Sequence, residues 1–151
     1  KAAQADPAWR DLLPHERARY LTRIADGIEA NVDRISFVQT RDTGKTRGET
    51  TALAMSAAGT FRYFAAVLET ADEDLTTRRG AYLTMSVHEP IGLVGAITPW
   101  NSPIASDAQK VAPVYAASNR GLCHAQPSRS FLYRHTRHFK PQQVHKSYLT
   151  R

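Results

Sequence analysis

One cysteine and a pair of histidines near the carboxyl end of the sequence are of types that act as nucleophiles or metal ligands. Cys123 is the only cysteine, which excludes an internal disulfide framework and a cysteine-rich zinc site. It is either a nucleophile or a bystander thiol, and the bystander is the favoured interpretation. His135 and His138 would share one face of a helix as a metal pair, but acidic and cysteine ligands are absent nearby. The sequence therefore predicts no metal site.

Basic residues are concentrated at the same end of the chain. Residues 108–151 contain 8 Lys and Arg and no acid, so their formal net charge is +8. Residues 1–107 contain 12 Lys and Arg and 14 Asp and Glu, so their formal net charge is 12 − 14 = −2. The basic stretch could bind nucleic acid, with Phe131, Tyr133 and Phe139 stacking on bases. An unstructured extension outside the fold is the favoured alternative, although the composition by itself fits both.

The composition as a whole is that of a globular protein. With 151 residues, of which 42% are apolar and 23% charged, the chain is long enough for one domain with a core. No stretch approaches the run of about 20 apolar residues that a membrane helix needs, and Lys1–Arg10 lacks the apolar run of a signal peptide. We therefore expect no membrane span, and a single cysteine fits the reducing cytoplasm.

The first part of the chain has the periodicity of helices. Pro14 begins a pattern in which apolar residues recur every three or four positions, with Arg17 among the polar residues on other faces. Asn31 is the predicted N-cap of a second helix, which Gly44 ends. A third helix is predicted from about residue 49 to residue 69.

The period then changes to that of strands. Tyr82–Glu89 alternates as a half-buried strand does, and Leu93–Thr98 is an apolar run typical of a strand buried on both faces of a parallel sheet. Pro99 ends this strand, and a helix is predicted from about Pro103 to Ala117. Strand, turn and helix are half of a βαβ unit, so the fold class is α/β. A second parallel strand is not predicted, because Gly121-Leu122-Cys123 is a poor candidate.

Three further features have ordinary structural explanations. Gly92-Leu93-Val94-Gly95 is not the G-x-G-x-x-G fingerprint, and its place inside a strand pattern argues against a phosphate loop. Asp42 and Lys45, beside the glycine that ends the second helix, are interpreted as helix-terminal surface residues rather than catalytic ones. Asn101 lies in the turn after the strand, where it could simply cap the next helix.

An ordered series of motifs resembles the amino-terminal part of the NAD(P)-dependent aldehyde dehydrogenase family. The strongest motif is Glu89–Pro103, with the sequence EPIGLVGAITPWNSP. The supporting motifs are Thr40–Lys45 (TRDTGK), Arg62–Ala65 (RYFA), Lys110–Pro113 (KVAP) and Ala116-Ala117 followed by Asn119. The likeness covers about residues 9–119 in the expected order and spacing, which makes it highly specific.

The resemblance implies the amino-terminal helices and first strands of a Rossmann-type cofactor domain, with NAD or NADP as cofactor and an aldehyde as substrate. In that family a cysteine thiolate attacks the aldehyde and hydride passes to the nicotinamide, giving a carboxylic acid. Asn101 occupies the position whose amide donates a hydrogen bond to the oxyanion. Ile97, Thr98, Pro99 and Trp100 occupy the strand end that lines the cofactor cleft.

The likeness to the family stops after Asn119. Cys123 is only 123 − 101 = 22 residues beyond Asn101, whereas the family's nucleophile lies well over a hundred residues beyond its asparagine, and the glutamate base is not matched either. His124 and Ala125 stand where the family has a cofactor-contacting lysine and a proline. A shifted reading frame or an altered 3′ end would produce such a switch.

These departures predict a truncated, incomplete cofactor-binding domain over residues 1–119 and a disordered basic tail over residues 120–151. Without the nucleophile and the base, the chain is predicted to be inactive alone. An incomplete sheet exposes apolar strand edges, so poor solubility or self-association is expected. The alternative is a non-catalytic module that pairs with a full-length homologue through the sheet edge. Nucleic-acid binding through the tail is the less favoured alternative.

Overall fold

The computed structural model describes residue 9, residues 11–71, residues 89–117 and the backbone of residues 120–125. In chain order the elements in these ranges are α1 (Pro14–Ala30), α2 (Val32–Thr43), α3 (Arg47–Thr70), β1 (Leu93–Thr98), α4 (Pro103–Ala116) and β2 (Arg120–Ala125). The predicted strand Tyr82–Glu89, apart from Glu89 itself, lies outside the described residues. So do residues 126–151 of the predicted tail.

Local signals determine the ends of the first two helices. Pro14 is the first residue of α1, where its missing N–H is no loss. α2 ends at Gly44, whose φ of 74° is left-handed and whose N–H binds the Thr40 carbonyl at 2.9 Å. Both predicted positions are confirmed. Asn31 is the N-cap residue of α2, but its Nδ2 donates to the Gly27 carbonyl of α1 (2.8 Å) and does not cap α2.

α3 begins two residues before its predicted start because Thr46 and Glu49 form a capping box. Thr46 Oγ1 accepts the Glu49 N–H at 3.3 Å, and Glu49 Oε2 accepts the Thr46 N–H at 2.9 Å. Together they satisfy two backbone donors that the helix leaves without partners. The hydrogen bonds from Thr46 hold the pKa of the Glu49 carboxyl below its usual value.

α3 is also long and apolar enough, by length and composition, to cross a membrane, which corrects the expectation that no stretch has this character. Helices α1, α2 and α4 all pack against it. Its position is therefore that of the central helix of a bundle.

The core lies where α3 packs against α1 and α4, and most of it is alanine. Leu21, Ile28 and Phe61 are the large members of the cluster. The others are Ala18, Ala25, Ala57, Ala58, Ala65, Ala108, Ala112 and Ala116. Because interaxial distance depends on the side chains at the contact, alanine on both sides lets helices approach closely.

Arg17 joins the beginning of α1 to the end of α4. It was predicted on a polar face, but it is only 8% exposed. Its Nε donates to the Ala116 carbonyl at 3.2 Å and its Nη1 donates to the Leu12 carbonyl. The last carbonyls of a helix have no partner within the helix, so this guanidinium caps α4. Burial lowers the pKa of Arg17, which nevertheless stays cationic.

β1 and β2 form a parallel pair, and α4 connects them. The register places Leu93 opposite Arg120 and Thr98 opposite Ala125. The expectation that no second parallel strand follows the helix was wrong, since β2 includes Gly121-Leu122-Cys123. Its pairing uses backbone groups, which need no particular side chains. The helices and this βαβ unit agree with the predicted α/β class.

β1 is open on one face. Leu93, Gly95 and Ile97 are exposed, whereas Val94 and Ala96 are half-buried and Thr98 is buried. Helix α4 packs on the sheet, and the alternation shows that the opposite face is uncovered in the described part of the chain. The prediction of a strand buried on both faces is therefore wrong for these residues.

Two glycine substitutions should change stability in opposite directions. Gly44→Ala forces a Cβ into a left-handed conformation and should lower the free energy of unfolding by about 1–2 kcal/mol. Gly59→Ala lies inside α3 with no atom within 4 Å of the added Cβ and should raise it by about 1 kcal/mol. Urea unfolding followed by circular dichroism checks both. Changes of the same sign in the free energy of unfolding would contradict the assignment of Gly44 as the residue that ends α2.

Candidate functional site

Asn101 lies in the short turn between the end of β1 and the start of α4, and it is exposed. Ser102, not Asn101, is the N-cap residue of α4, and the Ser102 carbonyl accepts the Ser106 N–H at 3.0 Å. Helix capping therefore does not account for Asn101. Within the described ranges no hydrogen bond to its side chain is formed, so the amide is available to a ligand.

Apolar surface adjoins Asn101 at the carboxyl end of β1. Ile97 is 76% exposed and Trp100 is 51% exposed, and Pro99 between them is also exposed. Ligands of open α/β sheets bind outside the carboxyl ends of the strands. Three of the four residues predicted to line a cofactor cleft thus present surface at the expected edge.

Thr98 differs from its neighbours because its side chain is buried, with 1% exposure. Its Oγ1 has no hydrogen-bond partner among the described residues, and the same is true of Asp107 Oδ1 in the second turn of α4. Burial raises the pKa of Asp107, and the nearby Thr98 hydroxyl opposes that shift. A buried polar atom without a partner costs about 1–3 kcal/mol. Because its side chain is buried, Thr98 can line a cleft only through its backbone.

The parallel register brings the ends of the two strands to one edge. The backbone of His124 lies opposite Ile97 and that of Ala125 lies opposite Thr98. The two residues that the resemblance aligns with a cofactor-contacting lysine and a proline therefore lie, by their backbone, beside the predicted cofactor-lining residues. Cys123 is opposite Ala96, one position further from this edge.

The other candidate residues are not brought to this edge. Asp42 and Lys45 lie at the end of α2 and just beyond it, as predicted, although Asp42 Oδ2 is buried without a partner in the described part of the chain. Among the described residues no three His, Cys, Asp or Glu side chains are grouped to hold a metal. His135 and His138 lie outside those residues.

A groove runs beside the site between β1 and the outer surface of α4. Its volume is about 300 Å³, and the residues that line it are Val94, Gly95, Ala96, Ile97, Gln109, Lys110, Pro113 and Val114. Sequence reasoning did not identify it, because it is made by two elements whose relative placement depends on the core.

Comparison with known proteins gives one consistent result. Residues 1–132 match the model of the aldehyde dehydrogenase family, beyond the boundary predicted after residue 119. Acetaldehyde dehydrogenase 2 of Cupriavidus necator is 39% identical over 119 residues, which are 78% of this chain and 24% of that protein. The chain thus spans about a quarter of the length of this curated relative.

Solved structures agree in fold. The aldehyde dehydrogenase KauB of Pseudomonas aeruginosa superposes with a TM-score of 0.77 and 28% identity, over 80% of this chain and 24% of that one. PnpE, solved in complex with nicotinamide adenine dinucleotide, gives a TM-score of 0.77 and 29% identity, over 82% of this chain and 26% of that one.

Asp107→Asn should change how stability depends on pH. Because burial raises the pKa of Asp107 in the folded chain above the unfolded value of about 3.9, protonation favours folding. This contribution is complete below the unfolded pKa and is lost as pH rises through the folded pKa. The asparagine variant should therefore be more stable than the parent at pH 7, with the difference shrinking towards pH 3.

Urea unfolding across this pH range measures the effect. Glu69→Gln, which removes an exposed carboxylate of α3, is the matched control and should follow the parent. A constant difference between Asp107→Asn and the parent would contradict the burial of this carboxyl group.

Proposed function

Because this chain belongs to the aldehyde dehydrogenase family, we propose that it supplies the oxyanion-binding asparagine and the first strands of the cofactor cleft for NAD(P)-dependent oxidation of an aldehyde to a carboxylic acid. One observation carries the proposal. The Asn101 amide is exposed beside Ile97 and Trp100 at the carboxyl end of β1, with no partner among the described residues.

Asn101 acts by donating an N–H to the oxygen that becomes negative when a thiolate attacks the aldehyde carbon. Such donors, when they are already in place, stabilise the developing charge by about 2.7–4 kcal/mol of barrier. A neutral amide suits this position, because a carboxylate there would raise the pKa of the attacking thiol and reduce the thiolate.

The residues at this edge also fit a nicotinamide cofactor. Ile97, Pro99 and Trp100 offer an exposed apolar surface, and the Thr98 backbone completes the strand end. When bound, NAD(P)⁺ supplies the acceptor for the hydride of the aldehyde. PnpE, a structural neighbour, was solved with nicotinamide adenine dinucleotide, and acetaldehyde is named for the Cupriavidus relative. A Rossmann-type sheet continuing from β1 and β2, and a cytoplasmic location, are parts of the same proposal.

The polypeptide of residues 1–151 is proposed to be inactive on its own. Its one cysteine, Cys123, lies on β2, where its backbone is opposite Ala96 of β1 and not at the end of the strand. The proposal therefore gives this chain the oxyanion donor but not the nucleophile. Thiol-dependent production of NADH by the pure chain would contradict it.

A chimera tests the role of Asn101. The aligned 119-residue segment of the Cupriavidus relative is replaced by that of this chain, and acetaldehyde oxidation is measured as NADH formed. Asn101→Ala in the chimera should lower kcat by about 10²–10³-fold, since it removes one oxyanion donor. Asn31→Ala, at an asparagine that binds the Gly27 carbonyl away from the site, is the matched control and should leave kcat unchanged. An unaltered kcat in Asn101→Ala would refute the proposed role.

The open face of β1 favours one second candidate, a non-catalytic module that pairs with a longer relative. Leu93 and Ile97 are exposed there, and the groove between β1 and α4 runs beside them. β1 pairs with β2 along one edge, and its other edge has no partner strand among the described residues. Such an exposed edge is a site of strand addition.

Size-exclusion chromatography with the intact Cupriavidus relative separates the two candidates. A pairing module should co-elute with it, and Leu93→Lys should abolish co-elution because it charges the open face. Tyr63→Lys charges a position on α3 that is at least as exposed as Leu93 and should have no effect. Separate elution of the parent chain would contradict this second candidate.

A further inference from the structure

The groove between β1 and α4 has the size and lining of a site for a small ligand. Its volume of about 300 Å³ is at the lower end of the range of about 300–1,000 Å³ that ligand pockets have. Most of its lining is apolar, from Val94 and Ile97 on the strand to Pro113 and Val114 on the helix. Ligand pockets bury the apolar part of a molecule and orient it with a few polar groups. The groove therefore suits a small, mainly apolar molecule.

The polar side chains that line the groove are all on the α4 wall. Gln109 and Lys110 are both exposed there, whereas the β1 wall, Val94–Ile97, has no polar side chain. Lys110 forms no ion pair within the described residues, and residues 108–151 contain no acid. A free cation beside an apolar wall is complementary to an apolar molecule with one anionic group.

A carboxylate fits this wall better than a phosphate does. The lysine ammonium donates three N–H groups and the glutamine amide two, and the two oxygens of a carboxylate accept from both. A phosphate group carries nearly two negative charges at neutral pH, but Lys110 is the one cation that lines the groove among the described residues. One cation balances the single charge of a carboxylate.

We propose that the groove between β1 and α4 binds a short aliphatic carboxylate, with the chain against the β1 wall and the carboxylate at Lys110 and Gln109. The four residues of that wall extend for about 13 Å, which is enough for a short chain. Aliphatic carboxylates are also a class of product that the proposed function forms. Binding in the groove depends neither on that reaction nor on Asn101.

Gly95 allows the groove to be narrowed without a clash. A Cβ added at Gly95 meets no atom within 4 Å. Side chains two residues apart on a strand point to the same face, so a valine at this position lies on the face of Ile97, another lining residue. Valine is also favoured in strands. Gly95→Val should therefore reduce the space for a ligand and leave the fold intact.

The ligand series tests the shape and charge of the site. The ¹⁵N-labelled 151-residue chain is titrated at neutral pH with butanoate, hexanoate, octanoate and octylammonium, and amide shifts are followed by NMR. Octanoate should shift the amides of Gly95, Ala96 and Lys110 and leave those of α2 in place. A fully buried methylene is worth about fourfold in affinity, so octanoate should bind at least about fourfold more tightly than hexanoate. Octylammonium, with the same chain and the opposite charge, should bind more weakly than octanoate.

The variants test the two walls separately. Lys110→Gln should weaken octanoate binding by about three- to fivefold, the range for an exposed ion pair. Arg34→Gln removes an exposed cation of α2 and should leave the affinity unchanged. Gly95→Val should weaken binding by tenfold or more. Gly59→Ala adds a methyl group in open space on α3 and should bind octanoate as the parent does.

Four results would overturn the proposal: amide shifts outside the groove only, an affinity independent of chain length, equal binding of octanoate and octylammonium, or an unchanged affinity in Lys110→Gln. A second copy of the chain in the groove would make these amides shift with protein concentration and not with octanoate, which also contradicts the proposal. Lys110 is exposed, so its variant gives a decisive result even if Gly95→Val fails to fold. Aldehyde, cofactor and thiol are absent from the titration, so its failure leaves the proposed role of Asn101 standing.

Discussion

The close, alanine-lined contact of α4 with the helical bundle is the constraint on which the rest of the structure depends. Ala108, Ala112 and Ala116 lie in the same buried cluster as Leu21 and Phe61. Larger side chains on this face of α4 would increase the interaxial distance. Because α4 connects β1 to β2, its position against α3 also decides where the sheet lies.

Arg17 adds a polar constraint to this apolar one. Its guanidinium binds the Ala116 carbonyl at the end of α4, just before the chain continues to β2. A buried guanidinium is costly unless its N–H groups donate hydrogen bonds. Without the Ala116 carbonyl in place, Arg17 would be a buried charge without compensation. The beginning of α1 is thus tied to the end of the helix whose beginning follows Asn101.

The turn after β1 joins exposed residues to a buried one. Asn101 and Trp100 are exposed, whereas the side chain of Thr98 is buried. The proposed role of Asn101 needs such a fixed turn, since preorganised donors need no rearrangement during the reaction. The open face of β1 lies beside this turn, so the site and the uncovered surface are continuous.

The sequence by itself determined the features that depend on neighbouring residues. Pro14, Gly44, Pro99 and Pro103 mark element ends through backbone dihedrals, and the series around Asn101 identified the family. Only the tertiary structure decided the burial of Arg17 and Thr98, the uncovered face of β1 and the pairing of β2. Each of these depends on which surface another element covers. β2 is the clearest case: its side chains carry a weak strand signal, but α4 returns the chain alongside β1, where backbone hydrogen bonds suffice to form the pair.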